Sequence, residues 1–199
     1  MAYDPQYFDA LFSGDADPWR FKSRWYEARK RELTLACLPA PRFEHAYEPG
    51  CANGELTAAL SQRCDHLLAT DGSAKAVQLA RERLAALPGV QVKQAWVPAQ
   101  WPEQRFDLIV ISELAYFLPA DAIDPMGARI LASLKPGGVV LACHWRRPIE
   151  GCAMNGDQVQ ARLGACLDLP LLSQVVDADL RLDVWCRDAR SVAQREGFV

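Results

Sequence analysis

Along this chain, short runs of nearly unbroken apolar residues alternate with segments whose apolar residues return every three or four positions, a pattern that predicts strands interleaved with helices. His45-Ala-Tyr-Glu48 closes a first buried strand, Pro49 to Gly54 makes a tight turn, and Leu56, Ala59 and Leu60 begin a helix. Cys64 to Asp71 is a second apolar run. Gly72-Ser73 turns after it, and Val77, Leu79, Ala80, Leu84 and Leu87 mark a helix that Pro88-Gly89 stops. Val90 to Ala95 alternates like a third strand, and Phe106 to Ser112 is almost wholly apolar, as a strand covered on both faces must be. A helix over Met126 to Leu134, a Lys135-Pro-Gly-Gly138 turn and a fifth strand over Val139 to Cys143 follow. The pattern ends with a helix over Asp157 to Leu167 and two strands, Leu171 to Val176 and Leu180 to Cys186. Ahead of all this, Tyr7 to Phe12 reads as a small helix and Asp17-Pro-Trp19 as a loop. A longer helix capped by Ser23 carries Trp25, Tyr26, Leu33, Ala36 and Cys37 until Leu38-Pro39.

Strand, helix, strand repeated in this way predicts an α/β fold, doubly wound around a mostly parallel sheet of seven strands, with its ligand at the carboxyl ends of the strands. Glu48, Asp71, Trp96, Glu113 and His144 each follow a strand in this reading and gather on one rim. No linker or repeat divides the chain. The expectation is one domain over 1–199, with 1–38 an N-terminal helical lid and 39–199 the α/β core.

Composition narrows the partners. With 199 residues, 50% hydrophobic, a net charge of −3 and a pI near 5.6, the chain can bury a sizeable core but presents no basic field for a nucleic acid. The first residues carry no basic segment followed by an apolar one, and no run approaches the roughly 18 apolar residues of a membrane span, so no membrane partner and a cytoplasmic location are expected. The seven cysteines are odd in number and never spaced C-x-x-C, which reads as reduced structural thiols and no metal site.

The turn after the first strand holds the candidate chemistry. Gly50 and Gly54 let backbone approach a bound molecule closely, and the N–H groups of the helix start face it, which suits a nucleoside-like ligand. The stretch lacks the G-x-G-x-x-G of dinucleotide sites and the G-K-[ST] of a P-loop. Asp71, about twenty residues on, stands where a doubly wound sheet places the carboxylate that takes ribose hydroxyls.

Glu48-Pro-Gly-Cys-Ala-Asn-Gly54, Asp71, Phe106-Asp-Leu-Ile109 and Leu134-Lys-Pro-Gly-Gly138, in this order, resemble the class I S-adenosylmethionine-dependent methyltransferases, with Ala52 in place of that pattern's middle glycine. A narrower resemblance, to the nodulation protein S-like (NodS-like) methyltransferases, rests on Asp17-Pro-Trp19 with Tyr26-Glu27 and Lys30, Trp101-Pro102, Ser112-Glu113 with Tyr116-Phe-Leu118, and His144-Trp-Arg146 followed by Gly156-Asp157. The resemblance implies a Rossmann-like class I methyltransferase fold, S-adenosyl-L-methionine as cofactor, and a small-molecule acceptor such as an amine or amino sugar. It departs from the pattern at Trp96, where relatives more often have an acid, and at Gln160, near which they often place a histidine.

The cofactor-binding residues expected on these grounds are Trp19, Tyr26, Lys30, Glu48, Gly50, Cys51, Gly54, Asp71, Trp96, Val97 and Ser112; the catalytic ones are His144, Tyr116 and Glu113. An amine must arrive unprotonated, and His144, placed after a fifth strand expected beside the first, is the candidate base, with Trp145, Tyr116 and Tyr26 as aromatic walls. The alternative for His144 is a ring that merely hydrogen-bonds a neighbouring loop. The basic, aromatic helix from Ser23 is either a solvated cover for the sheet or a lid over the ligand. Two other functions stay open: a nucleoside-binding module without chemistry, and an NAD-dependent short-chain oxidoreductase suggested by Tyr26-x-x-x-Lys30, although that motif here precedes the nucleotide strands instead of following them.

Overall fold

The computed structural model describes residues 5–199. In chain order its elements are α1 (Pro5–Gly14), α2 (Trp25–Ala36), β1 (Phe43–Pro49), α3 (Glu55–Leu60), β2 (Cys64–Asp71), α4 (Ala74–Leu84), β3 (Val90–Gln94), β4 (Phe106–Ser112), α5 (Ile123–Ser133), β5 (Leu134–Trp145), α6 (Gly156–Leu167), β6 (Leu171–Val176), β7 (Leu180–Cys186) and α7 (Val192–Arg195). The strands form one seven-stranded sheet in the order β3-β2-β1-β4-β5-β7-β6. The first five pair in parallel, and β7 runs antiparallel to both β5 and β6.

Alternation along the central strands builds a core on each face. Tyr47, Ile109, Ile111, Val140 and Ala142 point to one side, where Ile123, Met126 and Ile130 of α5 and Val159 and Leu163 of α6 cover them. Ala46, Leu108, Val110, Leu141 and Cys143 point to the other, together with Leu60 of α3. Because both faces are covered, these strands read as unbroken apolar runs. Trp101, part of the Trp101-Pro102 motif, serves the first core: its ring stands edge-on to Tyr47 at 5.0 Å and its Nε1 donates to Ser133 Oγ at 3.0 Å.

Four expectations change. β5 lies beside β4, because β4 already occupies the far edge of β1. It also begins at Leu134, with the glycine turn absorbed as a register shift opposite Phe106 and Leu108 and with Gly137 at φ 71°. It then runs on through His144 and Trp145, which pair with Arg181 and Leu180 of β7, so His144 lies within a strand and not on a rim. Finally, α2 starts at Trp25 with no side-chain cap, so Ser23 does not cap it, and Trp25 is 71% exposed while the buried face of the helix is the polar set Glu27, Lys30 and Thr34.

α6 is drawn tightly against the ends of β5 and β7. Gly156 is required there, since a Cβ would come within 2.2 Å of the Trp145 carbonyl oxygen. The fully buried Gln160 donates through Nε2 to the carbonyls of Ala142 at 2.9 Å and Arg181 at 3.1 Å. Among the described residues, no helix is long and apolar enough to cross a membrane.

Candidate active site

The sheet order reverses between β1 and β4, and the crevice at their carboxyl ends is where an open α/β sheet binds its ligand. The turn after β1 shapes it. Gly50, Ala52 and Gly54 all have positive φ, at 76°, 50° and 82°. The N–H groups of Gly50 and Cys51 donate to the carbonyl of Thr70 at 2.7 and 2.9 Å, and that of Ala52 donates to Asp71 Oδ2 at 2.9 Å. Asp71 Oδ1 accepts from Ser73 N at 2.9 Å, so one carboxylate holds the turn and the start of α4 together. A carboxylate has lone pairs left after two such bonds, and Asp71 faces the crevice. Gly54 serves packing: a Cβ there would meet Leu84 Cδ1 at 3.0 Å and the Cα of Ala80 at 3.3 Å.

Two cavities are lined by this turn, and a third shares Trp19, Phe21, Glu113, Tyr116 and Phe117 with the first. The first has Gly50, Ala52, Asp71 and Gly72 on one side and Trp96 and Val97 on another, with Phe8, Phe12 and Trp19 contributed from the N-terminal segment. Gly72 makes room for the indole, since a Cβ on it would fall 1.8 Å from Trp96 Cε3. The second cavity includes Gly50 and Cys51 in its lining, with the charged or polar side chains of Glu27, Lys30, Arg31, Glu48, Asn53 and Ser112 around it. Glu48 is buried and its Oε2 has no hydrogen-bond partner among the described residues; burial pushes its carboxyl up to about 8. The third cavity, of about 520 Å³, is walled by Tyr26, Phe117 and Trp145 and reached by Lys30, Glu113 and Tyr116.

Glu113 ties these spaces together. It follows β4 with φ at 53°, a left-handed conformation that a residue with a Cβ seldom adopts. Its Oε1 accepts from Lys30 Nζ at 2.9 Å, and its Oε2 accepts from Trp145 N at 3.0 Å and from the hydroxyl of Tyr116. Lys30 Nζ also lies 2.9 Å from Glu27 Oε2. Burial acts to raise the Glu113 carboxyl, but Lys30 and the Tyr116 hydrogen bond outweigh it and hold the group below its usual value. Burial acts to lower the Lys30 ammonium, and its two carboxylate partners together raise it instead. At neutral pH the three are a buried ionic cluster.

The N-terminal segment is fastened across the first cavity. Ser73 Oγ donates to Asp9 Oδ1 at 2.6 Å and Lys75 N to the same oxygen at 3.1 Å, which docks α1 on the start of α4. Asn53 Nδ2 donates to the Ala16 carbonyl at 3.1 Å and to Asp17 Oδ1 at 3.2 Å. Asp17 in turn accepts from Phe21 N at 2.8 Å, and the rings of Phe12, Trp19 and Phe21 follow one another at 5.6 Å. The expected lid from residue 1 is described only from residue 5 onward.

Comparison with known proteins bears on this arrangement. Residues 46–138 match the family model described as a methyltransferase domain. The crystal structure of a methyltransferase candidate from Pseudomonas syringae is 48% identical, with a TM-score of 0.74, over 82% of this chain and 100% of that one. The chain belongs to the methyltransferase family. Nodulation protein S from Rhizobium tropici is 31% identical over 124 residues, 61% of this chain and 52% of that protein, so the chain spans about half the length of the curated relatives it matches. The N-methyltransferase NodS from Bradyrhizobium japonicum WM9, in complex with S-adenosyl-L-homocysteine, shares the fold with a TM-score of 0.79 at 22% identity over 91% of this chain and 96% of that one.

In this methyltransferase-family chain, Trp19, Gly50, Asp71, Trp96 and Val97 line the first cavity, Lys30, Glu48, Gly50, Cys51 and Ser112 the second, and Tyr26, Lys30, Glu113 and Tyr116 the third. Gly54 lines none of them, for the packing reason given above. His144 also stays outside. It is fully buried in β5, its Nε2 accepts from Ala115 N at 3.2 Å, and its Nδ1 has no partner among the described residues. Burial lowers its pKa to about 4. The loop-holding alternative describes this ring; a base that meets an acceptor directly does not. Sequence reasoning missed Phe8, Phe12, Phe21, Arg31 and Asn53. The aromatic spacing of Phe8, Phe12, Trp19 and Phe21 ahead of the first strand was the one available signal for the first three.

Proposed function

We propose that the chain is an S-adenosyl-L-methionine-dependent methyltransferase whose acceptor is a small-molecule amine, a class that includes amino sugars. The observation that carries the reading is the junction at Gly50, which lines both the cavity that holds Asp71 and the one whose charged side chains are Glu48, Lys30 and Arg31. These are the needs of a nucleoside joined to an amino acid. The fit is specific: Asp71 suits ribose hydroxyls, the unpartnered Glu48 Oε2 suits an α-ammonium, Lys30 and Arg31 suit a carboxylate, and Trp96 over Gly72 offers an aromatic face. When bound, this cofactor supplies an electrophilic methyl group.

Glu113 and Tyr116 line both the first and the third cavity, so an acceptor in the third meets them at the junction. The ionised Glu113 carboxylate is the group we assign to face the acceptor's nitrogen, attracting it by charge, with the Tyr116 hydroxyl orienting an amine that arrives unprotonated and Lys30 holding the carboxylate in place. The rings of Phe8, Phe12, Trp19 and Phe21 exclude water from the side facing the sheet.

Calorimetry with S-adenosylhomocysteine tests the cofactor half. Saturable binding is expected, weakened about ten- to a hundredfold by Asp71→Ala through loss of a charge-assisted contact worth roughly 1.5–3 kcal/mol. No heat with either form of the cofactor, alongside binding of NADH, would end the reading. A turnover panel of amino sugars, small amines and phenols, followed by formation of S-adenosylhomocysteine, tests the acceptor half.

A further inference from the structure

Two pairs of aromatic rings stand around the third cavity. Tyr26 and Trp145 meet at 88° with centroids 5.4 Å apart, which makes a right-angled corner, and Trp19 and Phe21 lie 5.6 Å apart at 37°. Below them Lys30 is shared at 2.9 Å by Glu27 and by Glu113, so one ammonium faces two carboxylates and the cluster keeps one negative charge in excess. At the rim the lining adds Arg24 and Asp179, one charge of each sign, which leaves that excess in place. Among the described residues, no Asn, Gln, Ser or Thr side chain lines the cavity, so it is poor in the neutral groups that bind sugar hydroxyls.

Lys30 Nζ stands 5.2 Å from the centroid of the Tyr26 ring, so that ring already faces a cation, and aromatic rings beside buried carboxylates are the chemistry that receives an alkylated ammonium. Such a cation is weakly hydrated, needs few directed hydrogen bonds, and is attracted to ring faces and carboxylates together. A hydroxyl-rich sugar would find its partners there mainly in charged side chains, several of which are already engaged in ion pairs. We propose that the third cavity binds an N-alkylated ammonium head group, so that the acceptor is a secondary or tertiary amine and not a hydroxyl-rich amino sugar. The word acceptor rests on the methyltransferase reading; the binding claim rests on the cavity.

The test compares choline with 3,3-dimethylbutan-1-ol, which has the same shape with carbon in place of nitrogen. Binding to the full chain is measured by calorimetry, with and without saturating S-adenosylhomocysteine. Choline should bind at least tenfold more tightly than the neutral isostere, and more tightly than glucosamine. Trp145→Leu should bring the ratio below about threefold while affinity for S-adenosylhomocysteine is kept; Trp145→Met serves the same purpose if the first variant loses its fold. Equal affinities, tighter binding of glucosamine, or no saturable choline binding in either state overturns the proposal. Discrimination of the cation by a protein that does not bind S-adenosylhomocysteine would keep the cavity assignment and remove methyl transfer instead.

Discussion

Lys30→Met keeps the length of the side chain and removes the ammonium held between Glu27 and Glu113. At 2.9 Å and an effective dielectric constant of about 20, each of these pairs has a gross attraction of about 6 kcal/mol. Taking the ions out of water offsets much of that, which is why the cluster as a whole adds little net stability. The variant recovers only the Lys30 share of the desolvation cost, because both carboxylates remain in place. The expected loss is therefore about 3–5 kcal/mol at neutral pH, the range for removing one partner of a buried pair.

The pH dependence supplies the sharper signature. Lys30 has a raised folded-state pKa, so its contribution is fully present below its unfolded value and is lost only as pH rises through the folded one. Glu113 has a depressed one, so its contribution is present above its unfolded value and is lost as pH falls through the folded one. Between about pH 5 and 9 the wild-type cluster is thus level, using ordinary carboxyl and amine values as the bounds. In the variant, Lys30, the largest influence opposing burial at Glu113, is gone, so its pKa rises and the folded state takes up a proton that the unfolded state does not. The deficit should shrink as pH falls from 8 to 5. Urea unfolding followed by tryptophan fluorescence measures this, and Glu113→Gln added to Lys30→Met should restore part of the loss. A deficit under about 1 kcal/mol, or one independent of pH, would refute a buried ionic cluster.

Three further outcomes are expected. Gly72→Ala puts a Cβ where Trp96 Cε3 lies 1.8 Å away, so the indole must move and affinity for S-adenosylhomocysteine should fall at least tenfold in calorimetry with the circular dichroism unchanged; full affinity would detach Trp96 from the ligand. Glu48, buried and protonated up to about pH 8, must lose its proton to hold an ammonium, so affinity for S-adenosylhomocysteine should rise from pH 6 to pH 8, and a flat profile would remove Glu48 from the ligand's amino group. His144→Ala should destabilise the fold by about 1–3 kcal/mol through the unaccepted Ala115 N–H, measured by urea unfolding; a stable variant that loses more than a hundredfold in kcat and regains it at high pH would return the base role to His144.

What the sequence disclosed of this site is what backbone geometry demands of particular residue types. Gly50 and Gly54 stand at positive φ, and Asp71 stands where N–H groups of the turn and of α4 converge. Those requirements are local, and they write themselves into the order of residues. Lys30 and Glu113 are 83 positions apart, and their pairing follows from how α2 crosses the end of β4, which no periodicity encodes. The polar inner face of α2 misled the pattern in the same way: Trp25 counted as apolar and is exposed, while Glu27, Lys30 and Thr34 are buried, the first two within the ion pairs that reach Glu113.

His144 shows the limit most clearly. The apolar run ends at Cys143, and a polar residue after such a run reads as the start of a rim, because a solitary imidazole in a core has to find a partner. Here β7 extends the pairing of β5 by two residues, and the left-handed turn at Glu113 brings the N–H of Ala115 back onto Nε2. The ring that looked like a base thus accepts a backbone bond that fixes the loop carrying Glu113 and Tyr116. Both facts lie in β7 and in one backbone angle, not in the residues around Cys143. The carboxylate at the junction is then held on three sides, by Lys30, by Tyr116 and by the N–H of Trp145, so the charge we assign to face the acceptor's nitrogen is fixed in place by the fold.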